Sequence, residues 1–231
     1  MRAGDLPLLS EMHYISLMSW DSSDGGKRRG YHHGNLREAL MDAALRLIRE
    51  KGPAGFTFAE AARAAGVSPA APYRHFRDRD ELIAEVAKRG FEAFAASLRA
   101  AWDDGRPNPT TALHRLGIAY LEFARTQPAA YAAMFESGLP VSAFPHLSSA
   151  SEAVFAVLRT ACESVTATLP AVKRPPVLMM ALHIWSLSHG IASLFGRGDE
   201  ARRPLPMKPE ELLEAAVLIY LDGLDPGSHI S

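Results

Sequence analysis

Residues 57–76, TFAEAARAAGVSPAAPYRHF, limit what this chain can build more than any other stretch. Thr57 stands where a helix N-cap belongs, and Glu60 follows three residues on, the reciprocal pattern of a capping box. Residues 58–65 then read as a short helix. Gly66 stops it, because glycine enters the left-handed backbone region without steric cost. Ser68 sits where it would cap a second helix. Pro69 would be that helix's first residue, a position that needs no N–H. Pro72, three residues further in, removes a first-turn hydrogen bond and crowds the carbonyl of Ser68. The expectation is a second short helix with a loosened or delayed first turn.

The two faces of that second helix separate. Pro72 and Phe76 are four apart and flanked by Tyr73, so this side packs inward. Ala70, Ala71, Arg74 and His75 occupy the other side. Ala62 is small enough for the close crossing of two helices. Short helices around a glycine turn make a helix-turn-helix. An outward helix start presents N–H groups and a positive dipole end, which suits a phosphate backbone. Small residues beside Arg74 and His75 let the helix approach a groove and donate into it. A plain helical hairpin in a bundle would share the turn, but rarely the caps, the prolines and the basic tip together.

Elsewhere helical periodicity is nearly continuous and no strand-like alternation of any length appears. Leu36, Leu40, Ala44, Leu47 and Ile48 form one stripe, ended by Gly52-Pro53. Further helices are expected at 80–102, 110–126, from Pro128 to about 135, at 144–169, 177–195 and 210–224. That makes about nine helices and an all-α fold.

Charge divides unevenly over the 231 residues. From Lys27 to Gly90, 13 basic residues face 8 acidic ones, a balance of +5; from Phe91 to Ser231 the counts are 11 and 14, a balance of −3. A basic N-terminal third suggests a module for a polyanion. Cys162 is the single cysteine, so an intrachain disulfide framework is excluded and a cytoplasmic home is expected. No uninterrupted apolar run reaches the roughly 18 residues of a membrane span. Residues 1–26 lack the marks of a signal peptide and are expected to be a disordered leader, or an over-extended start before Met18. No catalytic set and no metal-ligand cluster appears. His183 and His189 are six apart, about 240° around a helix, and cannot chelate one ion together.

Residues 57–82 resemble the TetR family of bacterial transcriptional regulators. Thr57, Ala62, Ala65, Gly66, Val67, Ser68, Tyr73, His75, Phe76 and Leu82 match the family pattern, and Arg79 stands where the family usually has Lys. The likeness extends over about residues 31–89. It implies an N-terminal three-helix helix-turn-helix DNA-binding domain, at 27–80, with the linking helix running to about 90. It further implies a homodimer that sets two recognition helices in successive major grooves of an operator. By the resemblance Pro69, Ala70, Ala71, Arg74 and His75 face bases, Ser68 caps the recognition helix, and Thr57, Tyr73 and Arg79 hold phosphates. Lys27, Arg28, Arg29, Tyr31 and His32 would form a basic arm. Ala70 and Ala71 offer no hydrogen bonds, so readout there falls to thymine methyls or DNA shape.

The sequence "HIWSLSHG", 183–190, resembles the Trp-His-Gly signature of one class of C-terminal domains in that family, called WHG. The resemblance implies a helical ligand-binding and dimerisation domain at 81–225. Candidate ligand residues are Tyr120, Phe123, Met134, Phe155, Trp185 and His189. Candidate dimer-interface residues are Ile184, Leu187, Ile191, Leu213, Val217 and Tyr220. His189 reads first as a satisfied core histidine stacked on Trp185, and as a ligand contact second. The expected function is a homodimeric repressor released from its operator by a small effector, not an enzyme, with no cofactor and no membrane partner. A ligand-independent or activating regulator, or a helical protein that has lost the DNA role, stays open.

Overall fold

Proline, glycine and short polar side chains cut the chain into eight α-helices: α1 (Leu36–Lys51), α2 (Phe58–Ala64), α3 (Arg79–Trp102), α4 (Pro109–Thr126), α5 (Pro128–Phe135), α6 (Pro145–Thr168), α7 (Val177–Phe195) and α8 (Pro209–Leu224). The computed structural model describes residues 36–195 and 206–224. No strand occurs among the described residues. The leader, the basic arm at Lys27, Arg28, Arg29, Tyr31 and His32, and the segments 196–205 and 225–231 lie outside them.

The helix ends follow local chemistry. Thr57, Asp78 and Asn108 cap α2, α3 and α4, each accepting a first-turn N–H on its side chain. Proline opens α4, α5, α6 and α8, where its missing N–H costs nothing. Gly52 closes α1 at φ +76°. Eight helices replace the expected nine because the segment after Gly66 does not form a full α-helix.

Helix α3 is the axis of the molecule. It packs against α1 at one end and against α4, α5 and α6 along the remainder. Its buried residues, among them Leu82, Val86, Phe91, Phe94 and Leu98, run through one contiguous core that reaches from Leu40 to Leu213. Two ion pairs tie α1 to α3. Arg37 meets Glu85 at 3.1 Å, and Arg89 grips both carboxylate oxygens of Glu38. Arg89's guanidinium holds the Glu38 carboxyl below its ordinary pKa. Such half-exposed pairs contribute on the order of 1 kcal/mol each and chiefly fix geometry.

The short α5 bridges α1, α3 and α4. Its approach to α3 depends on Gly90: a Cβ there would come within 2.7 Å of Met134 Sδ. Helix α7 carries no Lys, Arg, Asp or Glu over its 19 residues and is long and apolar enough, by length and composition alone, to cross a bilayer. That corrects the expectation that no apolar run reaches the length of a membrane span. Met180, Ala181, Ile184, Ser188, Ile191 and Ala192 bury one face of α7 within the chain.

Candidate nucleic-acid interface

The capping box at the start of α2 forms as the sequence predicts. Glu60 N–H donates to Thr57 Oγ1 at 3.2 Å, while Thr57 N–H donates to Glu60 Oε2 at 2.8 Å. The Thr57 hydroxyl also donates to Glu60, at 3.0 Å, and the Lys51 ammonium sits 2.8 Å from the same carboxylate. These partners, Lys51 first, draw the Glu60 carboxyl down to about 2. Both polar groups of Thr57 are thus engaged. A phosphate at Thr57 would compete with Glu60, a consequence of the capping box.

Helix α2 ends in a Schellman motif. Val67 N–H donates to Ala62 O and Gly66 N–H to Arg63 O, each at 3.0 Å, with Gly66 at φ +73°. Ala62 is fully buried where α2 meets its neighbours. The turn therefore has the shape that Gly66 predicts.

The recognition segment differs from its expectation. It is a single 3-10 turn, Ala71–Arg74, and its capping residue is Ala70, with no side-chain hydrogen bond. Ser68 does not act as the cap and Pro69 is not the first helical residue. The cause is Pro72. In an α-helix its N–H would bond Ser68 O; having none, it leaves that carbonyl to Ala71 N–H, at 3.0 Å, which draws the chain into the tighter turn. The faces survive the change. Pro72 and Phe76 are buried, while Ser68, Pro69, Ala70, Arg74 and His75 are exposed and Ala71 partly so. Tyr73 is 63% exposed, held by an edge-on contact with Phe58 at 5.0 Å.

Arg79 turns inward. Its Nε donates to Phe56 O at 2.7 Å, a terminal nitrogen donates to Pro53 O, and the other pairs with Asp80 at 3.1 Å. The guanidinium also lies over the Phe56 ring at 4.9 Å. It braces the loop between α1 and α2 rather than standing free at the surface. The sequence presents only a basic residue at the expected position; which carbonyls it meets depends on a loop 23 to 26 residues away.

A second constellation lies inside. His189 Nδ1 on α7 is 2.8 Å from the Tyr131 hydroxyl on α5 and 3.1 Å from the Tyr120 hydroxyl on α4. The Tyr120 and Tyr131 rings stand edge-on, 6.4 Å apart. Burial pushes the Tyr120 pKa up and the His189 pKa down. Phe155 meets Trp185 edge-on at 6.4 Å. Four of the six candidate ligand residues thus converge: Tyr120, Phe155, Trp185 and His189. Phe123 instead packs on Phe94 at 4.6 Å, and Met134 faces Gly90. His189 lies nearly parallel to Tyr131, at 22°, and is tilted by 41° against Trp185. Tyr131 and Phe135 are absent from the sequence-derived set. The hydroxyl of Tyr131, on a helix otherwise apolar, is the signal that points to a partner.

Two family models divide the chain between them. One, described as bacterial regulatory proteins, tetR family, matches residues 40–86; the other, described as tetracyclin repressor-like, C-terminal domain, matches residues 113–220. The chain belongs to the TetR family. Its relatives in that family are transcriptional regulators, not enzymes. The HTH-type transcriptional regulator BetI of Rhizobium meliloti (strain 1021) is 36% identical over 104 residues, which are 43% of this chain and 50% of that protein. The chain therefore spans half the length of that curated relative. A protein of unknown function from Rhodococcus sp. RHA1 has a similar structure, with TM-score 0.70 at 28% identity, covering 85% of this chain and 98% of the other. The TetR-family regulator PfmR of Thermus thermophilus, 20% identical with TM-score 0.61 over 84% of this chain and 98% of its own, shares the fold.

Within this TetR-family chain the candidate interface residues need correction. Ile184, Ile191 and Leu213 are buried inside the single chain, and Leu187, Val217 and Tyr220 are partly buried. Leu213 fills the space beside Gly117, and Tyr220 meets His183 at 3.2 Å. The exposed apolar side chains of α7 and α8 are Leu178, Met179, Leu182, Leu194, Leu218 and Ile219. Helix α7 is apolar on nearly every face, so its sequence does not reveal which face the chain itself covers.

Proposed function

We propose that this protein is a homodimeric transcriptional repressor that binds an operator through the 57–76 segment and is released by a small effector held in its C-terminal part. The observation that carries the DNA reading is the recognition turn itself. Pro72 and Phe76 anchor it to the core, and Ser68, Pro69, Ala70, Ala71, Arg74 and His75 are left for a major groove. Tyr73, exposed and in edge-on contact with Phe58, suits a phosphate. Thr57 adds a second phosphate contact when Glu60 yields.

Dimerisation is supported by the apolar face of α7 and α8. Six large hydrophobic side chains on one helix pair, each at least 41% exposed, offer apolar surface that a second copy would cover by two-fold symmetry. Gly190 on α7 has open space at its Cβ position, which permits close approach. The effector reading, and with it the Trp-His-Gly character of α7, draws on the interior cluster of Tyr120, Tyr131, Trp185 and His189. Helix α3 would carry the signal. It begins beside the recognition turn, and its middle rests on that cluster through Phe94 against Tyr120 and Phe91 against Phe135. A shift of α3 would change the spacing of two recognition turns and remove their groove match. A cytoplasmic setting fits this role.

Selection of genomic fragments by the purified protein, followed by gel shift, tests the reading. An operator with two half-sites about one helical turn apart is the expected result. Absence of any selected sequence at low salt would overturn it.

A further inference from the structure

We propose that Arg46 is a positioning residue for DNA recognition: from α1 it grips the last carbonyl of α2 and so sets the angle at which the recognition turn meets a groove. This rests on the DNA reading above and adds to it a residue that acts without touching DNA.

Helix α2 cannot orient itself. It has seven residues, too few to be stable alone, and of these only Ala61 and Ala62 are buried. Two methyl groups give little relief for neighbouring side chains to lock against. The direction of α2 is therefore set from its ends. At the N-terminal end Arg79, from α3, holds Phe56 O at 2.7 Å and also Pro53 O, in the loop that leads into the helix. At the C-terminal end the carbonyls divide. Ala61 O accepts from Ala65 N–H at 2.9 Å, and Ala62 O and Arg63 O accept from Val67 and Gly66, each at 3.0 Å. Ala64 O, the last of the helix, accepts from a terminal nitrogen of Arg46 at 3.2 Å, across 18 residues of chain. A guanidinium at the negative end of a helix gains from the dipole as well as from the bond.

Arg46 stands on a firm base. Its neighbours Ala43, Ala44, Leu47 and Ile48 are buried, and α1 is tied to α3 by the Arg37–Glu85 and Glu38–Arg89 pairs. Arg46 and Arg79 thus hold the two ends of α2 from α1 and α3, both through backbone carbonyls. Two residues beyond Ala64 the chain reverses at Gly66, and the recognition turn follows with Arg74 and His75. Hydrogen bonds to base edges need heavy atoms within about 3 Å and nearly linear geometry, so a small rotation of α2 takes both side chains out of reach. As an exposed arginine of the basic N-terminal third, Arg46 has the composition of a phosphate contact. Its geometry is different, because its guanidinium already meets an oxygen of the protein.

Gel shift of the full chain on its selected operator, well below the melting temperature and over a range of salt, tests this. Arg46→Gln should bind the operator about 5-fold more weakly, the bias that one such hydrogen bond gives to the competent orientation. Affinity for unrelated DNA depends on phosphate charge rather than on the angle of the turn, so it should stay within about 2-fold and the salt slope should not change. Arg46→Lys, which keeps a donor for Ala64 O, should recover most of the operator affinity. In the free protein, Arg46→Gln should raise amide exchange at Gly66 and Val67, whose bonds close the turn, by about 5-fold, while exchange in α3 stays unchanged and shows the fold intact. A role in stability alone would lower the melting temperature and leave the preference for operator over unrelated DNA as it was; that outcome overturns the proposal. So does a salt slope lowered by about one, which makes Arg46 a phosphate contact, and so does unchanged exchange at Gly66 and Val67. A wild type that selects no operator overturns the DNA reading and this proposal with it. A wild type that binds its operator no better than Arg46→Gln overturns the proposal alone.

Discussion

The recognition tip and the helical body are built from the same residue types to opposite ends. At the tip, residues 57–76, structure follows from neighbours in the chain: Thr57 with Glu60, Gly66 with Arg63, Val67 with Ala62, Ala71 with Ser68. In the body, α3 to α8, partners lie 58 and 69 residues apart, as for Tyr131 and Tyr120 with His189. The tip leaves its polar side chains outward and takes stability from two anchors, Pro72 and Phe76. The body draws its stability from burial and keeps one polar cluster inside. A substitution in the tip should therefore change DNA binding at little cost in stability, and one in the body the reverse.

The sharpest break in that contrast comes from the core of α3. Phe94→Ala removes a ring that is 0% exposed and should destabilise the fold by about 3–5 kcal/mol, read by chemical denaturation. Next comes the exposed face of α7 and α8. Leu182→Glu with Ile219→Glu should cost on the order of 2 kcal/mol of association, read as monomers by analytical ultracentrifugation, while the monomer keeps its helical content. An unchanged dimer would move the interface elsewhere.

Two arginines sharpen the comparison within the tip. Arg74→Ala should leave stability within about 0.5 kcal/mol and weaken DNA binding by about 1–3 kcal/mol while relaxing specificity at the base it meets, read by gel shift on operator variants. Arg79→Ala should weaken DNA binding by roughly 1 kcal/mol through the loosened 53–56 loop, yet leave the salt slope unchanged. A slope lowered by Arg79→Ala would return that residue to the phosphate role. The smallest effect concerns pH. Burial lowers the His189 pKa below its ordinary 6.5, so the fold favours the neutral ring. That stability is whole above pH 6.5 and is lost as pH falls through the lowered value. Thermal melts of the wild type should decline over that range more steeply than those of His189→Gln.

The tip is legible in the sequence because its determinants lie within five residues of one another. The helix-turn-helix, the capping box, the left-handed Gly66 and the two faces of the recognition segment all come from such short spacings. Pro72 marks the limit: its missing N–H announces a disturbed first turn, but that the turn becomes 3-10 with Ala70 at its cap appears only when Ser68 O meets Ala71. Arg79 escapes a local reading for the same reason, since its partners lie in another loop. In the body, Ile184, Ile191 and Leu213 belong to the core rather than to an interface. Periodicity shows that α7 is apolar on two sides without showing which side the chain covers.

By itself the sequence determined the helical class, the boundaries of the eight α-helices to within a residue or so, and the surface that the tip offers. These depend on backbone donors, acceptors and dihedral preferences among near neighbours. The tertiary structure alone decided which apolar face stays exposed, where the Arg79 donors go, and that the hydroxyls of Tyr120 and Tyr131 meet His189. Each of those depends on groups brought together from distant parts of the chain, where burial removes water as the alternative partner and leaves only the neighbours that packing supplies.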